Sequence, residues 1–233
     1  MDYKVIEDAC AASGLLARGG FHPAAGDGAP AGALTLVLVG NAGPAMWRAF
    51  SDATPPAERA SARHPLNAWT RRTVGAIADG LGATAVLPFD GPPYAPFQRW
   101  ALKAGGVFAS PIGMLIHPVY GLWHAYRGAL AFADEIALPA AAPATSPCEN
   151  CAAKPCLSAC PVGAFRIETA PPARYDVPSC VGHVTSAAGT DCLGGGCLAR
   201  RACPVGRDYA YGPEQARFHM RKFLAAHAGK GLA

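Results

Sequence analysis

Residues 33–40 read ALTLVLVG, a short apolar run with β-branched side chains that ends in the turn residues Asn-Ala-Gly-Pro. Such a run predicts a buried strand. Downstream, Leu66, Trp69, Ile77 and Leu81 recur at helical spacing, with Pro65 near the start and Gly80 and Gly82 at the stop, and this predicts a helix. The segment ATAVLPF predicts a second strand. It delivers Asp90, within FDGPPYAPF, at its carboxyl end, where α/β domains commonly carry active-site groups. A second helix is expected from Phe97 to Ala104. SPIGMLIHPVYGLWHAYRGALAF reads as strand, turn at residues 117–121, and strand. A helix carrying Cys10 is expected near the N-terminus, and PEQARFHMRKFLAAH predicts an amphipathic helix near the C-terminus.

Residues 104–126 contain no Lys, Arg, Asp or Glu, so they must be weighed as a membrane span. Pro111, Pro118, His117, His124 and several glycines interrupt the run, and a lipid-exposed helix tolerates these poorly. A buried strand–turn–strand explains them better. No membrane span is expected. The first residues, MDYKVIE, are polar with no apolar stretch behind them, so no secretory signal is read there and a cytoplasmic location is expected.

Of the 233 residues, 51% are hydrophobic and 15% charged, which excludes a disordered chain and allows one large domain or a medium one with an appendage. Abundant Ala, Gly and Pro predict a loop-rich second half.

The cysteines change the picture most. Eight of nine lie between Cys148 and Cys203, in SPCENCAAKPCLSACPVGAF, at Cys180, and in DCLGGGCLARRACPVG. A secreted disulfide scaffold would be shorter and carry an export signal, so clustered thiols read here as metal ligands. Structural zinc prefers two short pairs a dozen or more residues apart, often with histidine. The first run is instead C-x2-C-x4-C-x3-C-P, a near relative of the bacterial ferredoxin run C-x2-C-x2-C-x3-C-P, whose fourth cysteine ligates the other cluster. Applied here, that rule groups Cys148, Cys151 and Cys156 with Cys203, and Cys160 with Cys180, Cys192 and Cys197. Two 4Fe-4S sites result and no cysteine of the eight is left over. The middle spacing of four, and the looser C-x11-C-x4-C-x5-C-P run, depart from the ferredoxin pattern. One cluster plus zinc therefore stays open as an alternative.

Net charge is +4, and all of the excess falls in residues 148–233, with ten Lys and Arg against six Asp and Glu. A 4Fe-4S cluster on four thiolates carries roughly −2, so two clusters offset this excess. Arg166, Arg200, Arg201 and Arg207 are the candidate compensators. Nucleic acid is not required to explain the basic half, and it is not an expected partner.

The order of these features resembles the core of the epoxyqueuosine reductases and, more distantly, the reductive dehalogenases. The features are LPFDGPP, a helix ending in Ala-Gly, SPIGMLIHPVYGLWHAYRGAL, CENC…CLSACPVGAF, then Cys180 and a last cysteine group. The resemblance spans residues 85–206. It implies a cobalamin-dependent reductase with an α+β architecture: a nitroreductase-like mixed α/β domain over residues 1–140, then a ferredoxin-like double 4Fe-4S domain over residues 141–233. It also implies the same crossed grouping of the eight cysteines. Asp90 matches the aspartate proposed in that group to donate a proton to substrate, although FDGPPYAPF is not the group's usual context. A turn-forming Asp before Gly and Pro is the plainer reading of that residue.

His117, Tyr120, Trp123, His124, Tyr126 and Arg127 form a polar–aromatic set in an apolar segment. His117, Tyr120, His124 and Tyr126 are the candidates for the wall of a cofactor or substrate pocket, against a buried hairpin with hydrogen-bonded tips. The function expected is an iron–sulfur redox protein passing single electrons to a cofactor or substrate, with cobalamin the candidate cofactor. A flavodoxin, ferredoxin or reductase is the expected redox partner, and a small-molecule substrate or corrinoid the expected ligand. Two other readings stay open: a non-catalytic ferredoxin-like carrier or cofactor-handling protein, and an RNA-binding iron–sulfur protein.

Overall fold

In this computed structural model, residues 1–140, 144–166 and 174–227 are described. In chain order they form α1 (Tyr3–Ala11), β1 (Leu16–Phe21), β2 (Thr35–Ala42), α2 (Ala45–Ala53), α3 (Pro56–Ser61), α4 (Pro65–Leu81) and β3 (Thr84–Val86). These are followed by α5 (Phe97–Ala104), β4 (Phe108–Ala109), β5 (Leu115–Ile116), β6 (His124–Phe132), α6 (Pro155–Ser158), β7 (Phe165–Arg166) and β8 (Arg174–Tyr175). Last come α7 (Val177–Thr185), α8 (Thr190–Gly195), α9 (Leu198–Arg201) and α10 (Pro213–His227). Helix and strand are mixed and every strand pair is antiparallel, which places the chain in the α+β class. No helix among the described residues is long and apolar enough to cross a membrane.

The chain divides into two units. Residues 1–106 and 124–143 form the first, and residues 107–123 and 144–233 the second. A single boundary after residue 140 does not describe this division, because residues 107–123 pack with the cysteine-bearing half. Residues 141–143, where the sequence reading placed that boundary, lie outside the described residues.

The first unit is built on a four-stranded sheet in the order β1-β2-β6-β3. β2 is the strand expected from the apolar run. It lies between β1 and β6 and is buried along nearly its whole length, so it reads as continuous rather than alternating hydrophobicity. The short β3 is an edge strand antiparallel to β6, so the rule that ligands sit at carboxyl ends of parallel strands has no bearing on Asp90. β1, LARGGF, gave no strand signal because its glycines lack β propensity. One of them is required, since a Cβ on Gly20 would lie 2.6 Å from the Leu36 carbonyl oxygen.

α4 buries Leu66, Trp69, Val74 and Ile77 along one stripe. Pro65 occupies its first turn and Gly82 closes it in the left-handed conformation at φ 65°, so both sequence signals have a structural cause. Trp69 meets Phe50 of α2 edge-on at 6.0 Å, and Phe50 meets Trp47 at 5.4 Å. α5 buries Trp100, whose indole N–H donates to the Asp27 carbonyl at 2.7 Å. At the N-terminus, Asp2 caps α1 by accepting from the Lys4 N–H at 2.9 Å.

Cys10 is fully buried on the inner face of α1, and burial alone pushes its thiol up from an ordinary 9.0 to about 12. The folded state therefore holds this proton more tightly than the unfolded chain does. Its contribution to stability is complete below pH 9.0 and is lost as pH rises toward about 12. Cys10→Ala is expected to flatten the alkaline fall in stability across that window, measured as urea midpoints of the two proteins against pH.

Candidate functional site

The second unit gathers the eight cysteines with short helices and tight turns. Cys148 follows a turn at Ser146, whose hydroxyl accepts from the Cys148 N–H at 3.3 Å. Between Cys151 and Cys156, Lys154 adopts a left-handed conformation at φ 37° and Pro155 opens α6. The four-residue spacer thus folds into a turn that returns the chain inward at Cys156. Cys203 follows α9. Cys156 and Cys203 are 9% and 7% exposed and share a core with Ile112, Ile116, Leu122 and Ala199.

Burial raises the Cys148 and Cys156 thiols above their ordinary value; Cys203 and Cys151 raise both further, and Cys148 also raises Cys156. These four therefore sit within electrostatic reach of one another.

The other four line a cavity of about 200 Å³. Cys160 comes from the turn after α6, Cys180 from α7, Cys192 from α8, and Cys197 from the junction of α8 and α9. The remaining wall is mostly apolar, with Phe165, Val184, Met220 and Phe223, and includes His183 and His219. Burial raises the thiols of Cys180, Cys192 and Cys197. Hydrogen-bond donors oppose that rise. The Leu198 N–H serves Cys192, the N–H groups of Ala199 and Arg200 serve Cys197, and the Tyr175 hydroxyl serves Cys180. The Ala164 N–H donates to the Cys160 sulfur at 3.3 Å. Donors aimed at sulfur favour the thiolate, the form a metal site needs.

A turn at residues 117–121 bounds the first quartet. His117 and Gly121 exchange backbone hydrogen bonds at 2.9 Å, and a Cβ on Gly121 would lie 1.9 Å from the Val205 carbonyl oxygen. On the opposite side, a Cβ on Gly206 would lie 2.3 Å from the Tyr120 carbonyl carbon. This backbone-on-backbone contact ties residues 107–123 to the segment following Cys203.

The four pocket candidates are divided between the units. His117 and Tyr120 belong to the second unit, with rings stacked at 4.3 Å, and Tyr120 meets Tyr209 edge-on at 4.8 Å. His124 and Tyr126 belong to β6 of the first unit, perpendicular at 6.0 Å. The expected strands flanking the turn do not form one hairpin, since β5 pairs with β4 and β6 pairs with β2 and β3. Beside Tyr126 the sequence reading missed Arg18 and Asn41, both buried. The Arg18 guanidinium lies 5.4 Å from the Tyr126 ring and donates to the Asn41 carbonyl at 3.4 Å. Burial raises the Tyr126 hydroxyl above its ordinary value, and Arg18 opposes this. Nothing in the pattern of single residues signals this group, because its members come from three strands.

Asp90 lies in the turn after β3, where its carboxylate pairs with the Arg71 guanidinium of α4. It borders an open cleft of about 470 Å³ lined also by Leu87, Tyr94, Pro96 and Arg99.

The thiol-lined cavity, its apolar wall and the N–H group directed at the Cys160 sulfur are compatible with an iron–sulfur cluster. Among the described residues no group of three or more Cys, His, Asp or Glu side chains is placed to hold a single metal ion. Four thiols around a cavity, an apolar wall and backbone N–H groups directed at sulfur are what a cubane requires.

No family model matches the chain, and no curated protein is similar to it. Solved structures are. A selenomethionine-labelled epoxyqueuosine reductase superposes at a TM-score of 0.51 with 15% identity over 92% of this chain and 68% of that one. An epoxyqueuosine reductase solved with an epoxyqueuosine-modified tRNA-Tyr stem loop gives 0.53 and 16% over 92% and 69%. A third, from Streptococcus thermophilus, gives 0.48 and 17% over 79% and 54%. The chain thus shares the fold of the epoxyqueuosine reductase structures, the group its sequence order resembles.

Gly121 and Gly163 have nearly the same left-handed backbone, at φ 57° and 56°, but a Cβ on Gly163 meets nothing within 4 Å. Gly163→Ala is therefore expected to cost about 1 kcal/mol, the strain of the backbone alone. Gly121→Ala is expected to cost about 3 kcal/mol or more, because the turn must leave Val205. Thermal melts of the two variants check the difference.

Proposed function

We propose that this chain is an iron–sulfur redox protein whose second unit, built like a two-cluster ferredoxin, holds two 4Fe-4S clusters. Cys148, Cys151, Cys156 and Cys203 would hold one cluster, and Cys160, Cys180, Cys192 and Cys197 the other. When bound, such clusters supply single electrons at potentials set by charge, burial and hydrogen bonds to sulfur. The observation that carries this reading is that Cys160, Cys180, Cys192 and Cys197 line one cavity, while Cys156 and Cys203 share a core against which Cys148 packs.

The residues of the chain have distinct tasks in this reading. The N–H groups of Ala164, Leu198, Ala199 and Arg200 are directed at sulfur, where they would stabilise metal-bound thiolates. Phe165, Val184, Met220 and Phe223 exclude water from the second quartet, which keeps those hydrogen bonds strong. The Gly196 backbone at φ 87° lets the chain turn sharply into Cys197 between two helices. Cys10 takes no part.

The fold shared with reductases supports an oxidoreductase, in which the first unit binds the electron acceptor. Two places there have the chemistry for it: the cleft beside Asp90, and the buried polar group of Arg18, Asn41, His124 and Tyr126. In that cleft the Asp90 carboxylate is paired with the Arg71 guanidinium. Cobalamin is the acceptor that the sequence resemblance implies, and neither place is assigned to it. A flavodoxin or ferredoxin would supply the electrons. A tRNA-type substrate is the second reading, favoured by the likeness to a structure solved with a tRNA stem loop. Filter binding across a salt series tests it, since phosphate contacts impose a steep salt slope.

Protein purified without oxygen is expected to be brown, with about eight irons and eight sulfides per chain, two cubanes' worth. Cys203→Ser should damage the cluster of Cys148, Cys151 and Cys156 while sparing the one held by Cys160 and its partners. Colourless, zinc-bearing protein would sink the proposal. Loss of the Cys160 cluster instead would overturn the crossed grouping.

A further inference from the structure

The four arginines that the charge balance singled out have different surroundings. Arg166 lies 3.7 Å from the Asp176 carboxylate, Arg201 lies 2.6 Å from Asp191, and Arg207 is exposed. Arg200 is unlike the other three. It is half-buried, and among the described residues no carboxylate lies within ion-pair distance of it.

Its guanidinium is held between two aromatic rings, 4.5 Å from the centre of Trp123 and 4.4 Å from that of Tyr211. Nε and Nη2 donate to the Leu122 carbonyl at 2.9 and 2.5 Å. A carbonyl dipole and two π faces orient a cation but leave its full charge uncancelled. Withdrawing a charge from water is costly unless an opposite charge answers it.

The anion that answers it is indicated by the backbone. The Arg200 N–H donates to the Cys197 sulfur of the second quartet, and the Arg200 carbonyl accepts from the Cys203 N–H of the first at 3.3 Å. The side chain is anchored on Leu122, which packs in the same core as Cys156 and Cys203. We infer that Arg200 is a caged counter-cation of the two clusters, acting chiefly on the one held by Cys148, Cys151, Cys156 and Cys203. It is a positioning and tuning residue and ligates nothing. This inference rests on the two-cluster reading above.

A fixed positive charge stabilises the reduced, more negative cluster and so raises its potential. Removing one unit charge at the edge of a protein interior changes the reduction equilibrium constant on the order of tenfold. The test uses the full chain, reconstituted without oxygen, as wild type, Arg200→Lys, Arg200→Met and Tyr211→Leu. Iron and sulfide content, thermal melting and redox titration followed by electron paramagnetic resonance are measured on each.

Arg200→Met is expected to keep its iron but to lower the midpoint of one reduction wave by the equivalent of roughly tenfold, with a smaller shift in the other. Arg200→Lys keeps the charge, so it should melt earlier while holding its midpoints near wild type. Tyr211→Leu leaves the charge but opens it to water, so it should give a smaller fall in the same wave. Unchanged midpoints in Arg200→Met, with only a lower melting temperature, would make Arg200 a packing residue and overturn the inference. If Arg200→Met fails to hold iron, the Tyr211→Leu midpoint decides: a fall supports the inference and an unchanged value overturns it. A wild-type protein without two clusters would instead remove the premise, and iron content alone shows that.

Discussion

Residues 120–121 and 205–206 lie so close that neither Gly121 nor Gly206 admits a Cβ. Much of the second unit depends on this contact. It holds residues 107–123 against the segment that follows Cys203. With that segment come Ile112, Ile116 and Leu122, which bury Cys156 and Cys203, and Trp123, which covers one face of Arg200. A ferredoxin-like run of cysteines has little apolar surface of its own to bury. Here a borrowed stretch of seventeen residues, 107–123, supplies it. The absence of charge in that stretch, which invited comparison with a membrane span, follows from its position beside buried thiols.

The thiols show two opposing effects. Burial favours the neutral form at Cys148, Cys156, Cys180, Cys192 and Cys197, while N–H and O–H donors at several of them favour the thiolate. A site that is buried and yet furnished with donors is arranged for an ionised ligand whose charge is answered by something placed between the sulfurs. Short helices suit that arrangement. α6 and α9 have four residues each, so backbone N–H groups at their ends stay outside helical bonding and can point at sulfur.

Elements whose signal is local were legible in the sequence. α4 has its stripe, its proline and its closing glycine. α5, α10 and β2 follow from apolar periodicity, although β2 begins and ends two residues later than the run suggested. The expected cysteine grouping rests on ligand spacing and on the proline after Cys160 and Cys203, which are chain-local features. What was not legible depends on tertiary contact. β1 is a strand because its glycines allow close approach to β2, which no propensity reveals. The polar–aromatic set between His117 and Tyr126 is continuous in sequence, yet it splits where the chain passes from one unit to the other between Trp123 and His124. Arg200 and Arg201 are adjacent and chemically alike. Only the structure separates a caged cation from one neutralised by Asp191.

The two Cys-Pro-Val-Gly segments carry this point further. Both end in a left-handed glycine, at φ 56° for Gly163 and 71° for Gly206. Their surroundings differ. Gly206 is pressed against Tyr120, and Cys203 beside it is 7% exposed; Gly163 meets nothing, and Val162 is 40% exposed. Identical local sequence thus produces one closed and one open corner. Solvent access and nearby charge set the potential of a cluster held on such a turn. On the proposed two-cluster reading, sites built from the same tetrapeptide would differ in potential through residues 107–123 and Arg200, outside both repeats.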